Sequence, residues 1–126
     1  MSAEIVEPVG TAQKSAAIIL NTKFSHNENN DEFINGTHLM GYISTTFWKL
    51  EELFGEPTFY ASDPFQKVNC EWKLRRGGRI VTIYDWKVSR IPESVYEWHI
   101  GGKRKEDIEE FLKDFPELSK YWKAKY

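Results

Sequence analysis

Three side chains that could carry acid–base or metal chemistry share one predicted sheet face, and a fourth lies near its edge. They are Glu71, Glu97 and His99, with Asp85 at the edge. Two carboxylates and an imidazole can bind a divalent metal ion or transfer protons. The sequence has neither His-Glu-x-x-His nor Cys-x-x-Cys, two spacings that bring metal ligands together. We therefore predict no metal site, no cofactor and no catalytic residue.

The single cysteine, Cys70, is another candidate, because a histidine could activate it as a nucleophile. Alternation along the predicted strands places Cys70 and His99 on opposite faces, so a hydrogen bond between them is not expected. A lone cysteine cannot form an internal disulfide, which favours a reducing compartment. We expect a buried structural thiol.

Basic residues crowd one predicted hairpin turn and the start of the last predicted helix. They are Arg75, Arg76, Arg79, Lys103, Arg104 and Lys105. A helix N-terminus with clustered cations can hold a phosphate, which indicates nucleic-acid or nucleotide binding as an alternative function. A strand-to-helix turn with solvated lysines explains the same residues. The helix also continues with mostly acidic residues at 106–110, where an RNA-binding helix would carry cations.

An N-terminal arm and seven elements in the order β-β-α-β-β-β-α are predicted to position these residues. Residues 1–15 mix small, polar, proline and glycine residues and predict a flexible arm, whereas residues 16–126 predict a single domain. Runs rich in β-branched and aromatic residues predict strands, and the polar, asparagine-rich residues 25–35 predict a loop. The predicted strands are residues 16–24, 38–43, 68–75, 79–86 and 95–100.

Two amphipathic helices complete the predicted fold. The apolar stripes are Phe47, Leu50, Leu53 and Phe54 in the first helix, and Ile108, Phe111, Leu112 and Phe115 in the second. Ser44 or Thr45 can cap the first helix and Gly55 can end it. Pro116 interrupts the second helix, and a further short turn is expected over Leu118, Tyr121 and Trp122, which keep the helical period. Both stripes need one apolar surface, so we predict an α+β fold: a short antiparallel sheet with two amphipathic helices on one face.

A period of two sorts the strand side chains into two faces. The face beneath the helices is predicted to carry Cys70, Trp72, Leu74, Val81, Ile83, Tyr96, Trp98 and Ile100. The outer face is predicted to carry Glu71, Lys73, Thr82, Tyr84, Trp86, Glu97 and His99. Large rings in a polar surround suit a binding surface. The same rings could instead only strengthen cross-strand pairs, or be covered by the N-terminal arm.

The composition indicates a globular domain whose net charge produces no strong electrostatic field. The 126 residues are 40% hydrophobic and 15% aromatic, and their formal net charge is −2. This balance gives no general attraction to nucleic acid or to anionic membranes. The sequence has no apolar run of about 18 residues, so no membrane span is expected.

Three sequence motifs, in a fixed order along the chain, are similar to motifs of a known protein family. They are Lys-Val-Asn-Cys-Glu-Trp at 67–72, Thr-Ile-Tyr-Asp-Trp-Lys at 82–87 and Glu-Trp-His-Ile-Gly-Gly at 97–102, preceded by Leu-Phe-Gly-Glu-Pro at 53–57. Over roughly residues 41–113 the chain resembles small uncharacterised proteins of tailed phages and large DNA viruses. It departs at the basic Arg-Gly-Gly-Arg hairpin, where those proteins tend to have an Asp-Gly turn. The family has no established activity, so the resemblance implies only a viral accessory protein, acting in the infected cell or packed in the particle.

The expected function is therefore that of a non-enzymatic viral accessory protein, which binds a host or viral protein, or itself. The predicted binding residues are Tyr84, Trp86, Glu71, Lys73, Glu97 and His99. The expected location is the host cytoplasm, the nucleus or the virion, without membrane association. Nucleic-acid or nucleotide binding through the basic hairpin and the last helix is the alternative.

Overall fold

A computed structural model describes residues 23–26, 36–63 and 65–125 of the chain. These residues form seven strands and three helices. In chain order they are β1 (Ser25–His26), β2 (His38–Thr45), α1 (Phe47–Phe54), β3 (Phe59–Tyr60), β4 (Cys70–Arg76), β5 (Arg79–Tyr84), β6 (Tyr96–Gly102), α2 (Lys105–Asp114), α3 (Pro116–Ser119) and β7 (Trp122–Ala124). The predicted flexible arm, residues 1–15, and most of the predicted strand 16–24 lie outside the described residues.

The strands form one antiparallel sheet in the order β1-β4-β5-β6-β2-β7, and β3 pairs with β4 beside β1. The β4–β5 hairpin turns at Gly77-Gly78, as predicted, and Gly77 has the positive φ of 62° that favours glycine. The predicted class, an α+β fold built on an antiparallel sheet, is confirmed.

The predicted helix-side face of the sheet is the core of the protein. All eight residues assigned to it belong to the core or pack against it. Trp72 and Trp98 are fully buried and meet edge to face, with ring centroids 5.6 Å apart. The helices share this surface, because Phe54 of α1 stacks on Phe111 of α2 at 6.0 Å. Each buried indole also needs a partner, and Trp72 Nε1 donates to the Gly55 carbonyl at 2.9 Å.

Helix α1 begins one residue later than predicted. Thr46, not Ser44 or Thr45, is the N-cap, and its hydroxyl accepts a hydrogen bond from the Lys49 N–H at 3.1 Å. Thr45 still belongs to β2, where it pairs with Tyr96, so its backbone is committed to the sheet.

Three short strands were missed. Residues 25–26 lie in β1 where a loop was predicted, and β3 falls in a segment with no predicted element. The short helix α3 supplies the predicted further turn at Leu118, but Trp122, the last residue assigned to that turn, begins β7 instead. Two or three residues are too few to show alternation, so nothing local marks these strands. They exist because they pair with longer neighbours: β1 and β3 with β4, and β7 with β2.

The short strands β1 and β3 pair with the two ends of β4, and a side chain accepts the backbone hydrogen bond that lies between them. Ser25 of β1 pairs with Arg75, and Phe59 of β3 pairs with Glu71. Between them, the Lys73 N–H donates to the Thr58 hydroxyl at 3.0 Å. The Lys73 N–H therefore has a partner at this edge of β4, and β7 forms the opposite end of the sheet.

Candidate functional site

Four aromatic rings are contiguous on the sheet face opposite the helices. Tyr84, His99 and Tyr42 lie side by side on β5, β6 and β2. The His99 ring centroid is 5.4 Å from that of Tyr84 and 5.1 Å from that of Tyr42. Trp86, two residues beyond Tyr84, lies 6.3 Å from Tyr84 and 6.4 Å from His99. We call these four residues the aromatic cluster.

Trp86 is the most outward member of the cluster, with 39% of its surface exposed. The Nζ atoms of Lys67 and Lys87 lie 5.8 and 5.9 Å from its ring centroid, within cation–π range. The Lys87 N–H donates to the Lys67 carbonyl at 2.7 Å, and Lys87 has a φ of 56°, unusual for a residue with a side chain. Two loops thus bring positive charge to a single exposed ring.

The backbone on both sides of Trp86 is held in place. Asp85 is fully buried, and its carboxylate accepts hydrogen bonds from the Asn69 N–H at 2.8 Å, the Asn69 side-chain amide at 2.8 Å and the Cys70 N–H at 3.3 Å. The Trp86 N–H donates to the Tyr96 hydroxyl at 3.1 Å. Asp85 therefore anchors the chain rather than joining Glu71, Glu97 and His99 in a chemical group.

The charged residues predicted for the outer face lie there, spread along it. Glu71 pairs with Tyr84 next to the cluster, Glu97 pairs with Ser44, and Lys73 Nζ lies 5.8 Å from the Phe59 ring. Thr82 is 1% exposed and so does not contribute to an open surface as predicted. A Cβ on Gly101 would lie 2.5 Å from the Thr82 hydroxyl, so the threonine fills the space above that glycine.

His99 is embedded in the cluster as a poorly solvated imidazole. Its Nδ1 atom is buried and has no hydrogen-bond partner within the described part of the chain. Burial lowers the pKa of His99 below its ordinary value of 6.5, while the nearby Glu97 and Asp85 carboxylates partly oppose this shift. The ring therefore resists protonation and behaves as an aromatic member of the cluster.

Acidification is expected to destabilise the protein through His99. Because the pKa of His99 is lowered in the folded state, the unfolded chain takes up its proton at a higher pH. The free energy of unfolding should therefore decrease as the pH falls from 6.5 towards the folded-state pKa. Denaturant unfolding at several pH values should show this slope, and His99→Gln should reduce it. His38→Gln, at the exposed start of β2, is the matched control. An unchanged slope in His99→Gln would contradict this description of the imidazole.

Cys70 is the buried structural thiol that was predicted. It lies on the helix side of the sheet, opposite the face that carries His99. Burial raises the pKa of Cys70 to about 12, and the Asp85 and Glu71 carboxylates add to the shift. The thiolate needed for nucleophilic attack is therefore strongly disfavoured near neutral pH.

Three of the six residues of the predicted basic rim form ion pairs with helix α2. Arg79 and Arg104 both pair with Asp107, at 2.9 and 3.0 Å, and Asp107 is 1% exposed. Arg76 pairs with Glu110 at 2.9 Å and with Asp114 at 3.4 Å. Arg75 faces the outer side of the sheet opposite Ile80, away from α2, while Lys103 and Lys105 are exposed. The six predicted cations are thus not brought together as one phosphate site.

Sequence reasoning missed Tyr42, Lys67 and Lys87 as members of the site. Alternation along β2 was sufficient to find Tyr42, since its neighbour Ile43 is buried in the core. The two lysines reach Trp86 from loops, where no periodic signal exists.

Neither a metal centre nor a membrane span is found in the part of the chain that the structure describes. No three His, Cys, Asp or Glu side chains there are grouped so that they could hold a metal ion. None of the described helices is both long and apolar enough to cross a bilayer. No protein-family model, curated protein or solved structure matches the chain.

Proposed function

We propose that the protein is a non-enzymatic viral accessory protein that binds a host or viral protein, or a second copy of itself, through the aromatic cluster. The observation that carries this proposal is the continuous arrangement of Tyr42, His99, Tyr84 and Trp86 on the sheet face opposite the helices. Aromatic anchors surrounded by polar residues are typical of the energetic centre of a protein interface.

The cluster is well suited to binding because it is already ordered. Tyr42, Tyr84 and His99 stand on paired strands, and the Tyr96 hydroxyl accepts a hydrogen bond from the backbone of Trp86. A rigid surface loses little conformational entropy when a partner docks. Covering the exposed part of the Trp86 ring would remove apolar surface from water, which favours association.

The other reactive side chains support binding rather than catalysis. Asp85 is committed to three hydrogen bonds, and Cys70 is a buried thiol on the far side of the sheet. His99 has one nitrogen enclosed among the rings. These groups do not converge on a common cavity, which a general acid–base or nucleophilic mechanism requires.

The ion pairs of α2 favour a protein partner over nucleic acid. Arg76, Arg79 and Arg104 would have to leave carboxylates, one of them buried, before they could contact a phosphate. The viral role and the location in the host cytoplasm, nucleus or virion are proposed from the resemblance of the three strand motifs.

Affinity capture from infected cells, with and without nuclease treatment, tests this proposal. We expect a protein partner that survives nuclease treatment and is lost when the bait carries Trp86→Ala. The matched bait is Trp48→Ala, because Trp48 is 67% exposed on α1 and lies outside the cluster. It should retain the partner. Loss of all binding on nuclease treatment would favour the nucleic-acid alternative, and equal capture by the Trp86→Ala bait would rule out the cluster as the site.

A further inference from the structure

The edge strand β7 presents backbone groups that no described strand pairs with. On its inner side β7 pairs with β2, with Lys123 opposite Tyr42. The Lys125 N–H donates to the Met40 carbonyl at 2.9 Å, and the Ser44 N–H donates to the Tyr121 carbonyl at 3.4 Å. Residues 121, 123 and 125 therefore face β2, because bonding direction alternates along an antiparallel strand. The N–H and C=O groups of Trp122 and Ala124 point away from the sheet.

A groove of about 400 Å³ lies between this edge and helix α2, on the helix side of the sheet. Its apolar lining includes Met40, Ile108, Leu112 and Trp122, and Lys105 and Glu109 also border it. Side chains of a strand added to β7 would alternate between the two faces of the sheet. Every second one would therefore face this groove.

The opposite face of the same edge carries a positive charge at Lys123. Lys123 is exposed and lies on the outer face, opposite Tyr42. Lys120, just before β7, is also exposed. In the register that sets Lys123 opposite Lys123, a second copy pairing antiparallel through β7 would bring two like charges together, which is unfavourable. Acidic side chains at those positions would be favoured instead.

We infer that β7 binds an extended peptide segment of a partner protein, which adds as a further strand and carries apolar and acidic residues in alternation. The apolar residues enter the groove beside Trp122 and the acidic residues face Lys123. The Trp122 and Ala124 backbone groups supply the hydrogen bonds, as in other cases of strand addition to a sheet edge. This inference concerns a second surface and does not rest on the proposed role of Trp86.

Peptide binding by the full chain tests the inference. The probe is a fluorescein-labelled peptide of about eight residues, an ordinary strand length, with glutamate and valine in alternation. Control peptides carry lysine in place of glutamate, or the same residues sorted into one acidic and one apolar block. Fluorescence anisotropy should show binding of the alternating acidic peptide only, with a Kd below about 1 mM.

Three variants separate the backbone, charge and aromatic contributions. Ala124→Pro removes an outward N–H without touching a hydrogen bond to β2, so it should weaken binding about fivefold to tenfold with unchanged melting. Ala124→Ser keeps that N–H and should bind normally. Lys123→Glu should reverse the preference towards the lysine peptide. Trp86→Ala should bind the peptide like the wild type.

Several results would overturn the inference: no binding of the acidic peptide, equal binding of the blocked peptide, or full affinity in Ala124→Pro. Sedimentation that reveals a dimer abolished by Ala124→Pro would also overturn it, because β7 would then pair with a second copy. If Trp86→Ala binds the peptide but retains the captured partner, the proposed function fails while this inference stands.

Discussion

Replacing Trp72 with alanine is expected to lower the free energy of unfolding by about 3–5 kcal/mol, the usual cost of removing a large buried ring. Trp72 is fully buried, with its ring centroid 5.6 Å from Trp98 and 5.5 Å from Phe47. The substitution leaves a cavity and also removes the hydrogen bond from Trp72 Nε1 to the Gly55 carbonyl. Denaturant unfolding of the variant measures the loss.

Trp48→Ala is the control for this prediction. It removes the same ring from α1, where Trp48 is 67% exposed, and should cost less than about 1 kcal/mol. A loss below about 1 kcal/mol for Trp72→Ala would contradict the assignment of its face to the core.

Replacing Asp85 with alanine is expected to lower the free energy of unfolding by about 2–4 kcal/mol, because buried N–H donors lose their acceptor. The Asn69 and Cys70 N–H groups both donate to this carboxylate, whereas the Asn69 side-chain amide keeps a second partner in the Val88 carbonyl, at 2.9 Å. Unfolding measurements should show a smaller loss for Asp85→Asn, which retains one acceptor oxygen. Equal losses for the two variants would mean that these hydrogen bonds do not stabilise the loop.

The longer elements could be predicted because their periodicity reflects burial on one side only. Alternation in β4 placed Trp72 beneath the helices, and the helical spacing in α2 placed Phe111 against the same core; both are fully buried. The start of α1 could not be fixed to one residue. Several hydroxyl residues precede it, and the choice of Thr46 depends on how far β2 pairs with β6.

The short strands depend on tertiary contacts, so the local sequence pattern does not predict them. Residues 122–124 contain one large apolar residue, Trp122, and read equally well as a turn. They are a strand because β2 offers an edge and because Gly41 leaves room for the indole. A Cβ on Gly41 would lie 2.4 Å from the Trp122 ring.

Three of the four aromatic residues of the candidate site could be predicted, whereas the ion pairs of the predicted basic rim could not. The alternation of side chains along the strands was enough to assign Tyr84, Trp86 and His99 to one face, and the structure brings their rings together. Pairing between charges could not be predicted in the same way. Asp107 lies 28 residues after Arg79, and only the packing of α2 against the hairpin joins them.

The central claim, that Trp86 anchors a protein partner, is tested most directly by measuring melting and partner affinity on the same Trp86→Ala sample. We predict nearly unchanged melting and a loss of binding free energy of about 2 kcal/mol or more, as expected for an interface hot spot. Trp48→Ala, measured against the same purified partner, should show neither change. Undiminished affinity, or strong destabilisation of Trp86→Ala, would contradict the claim.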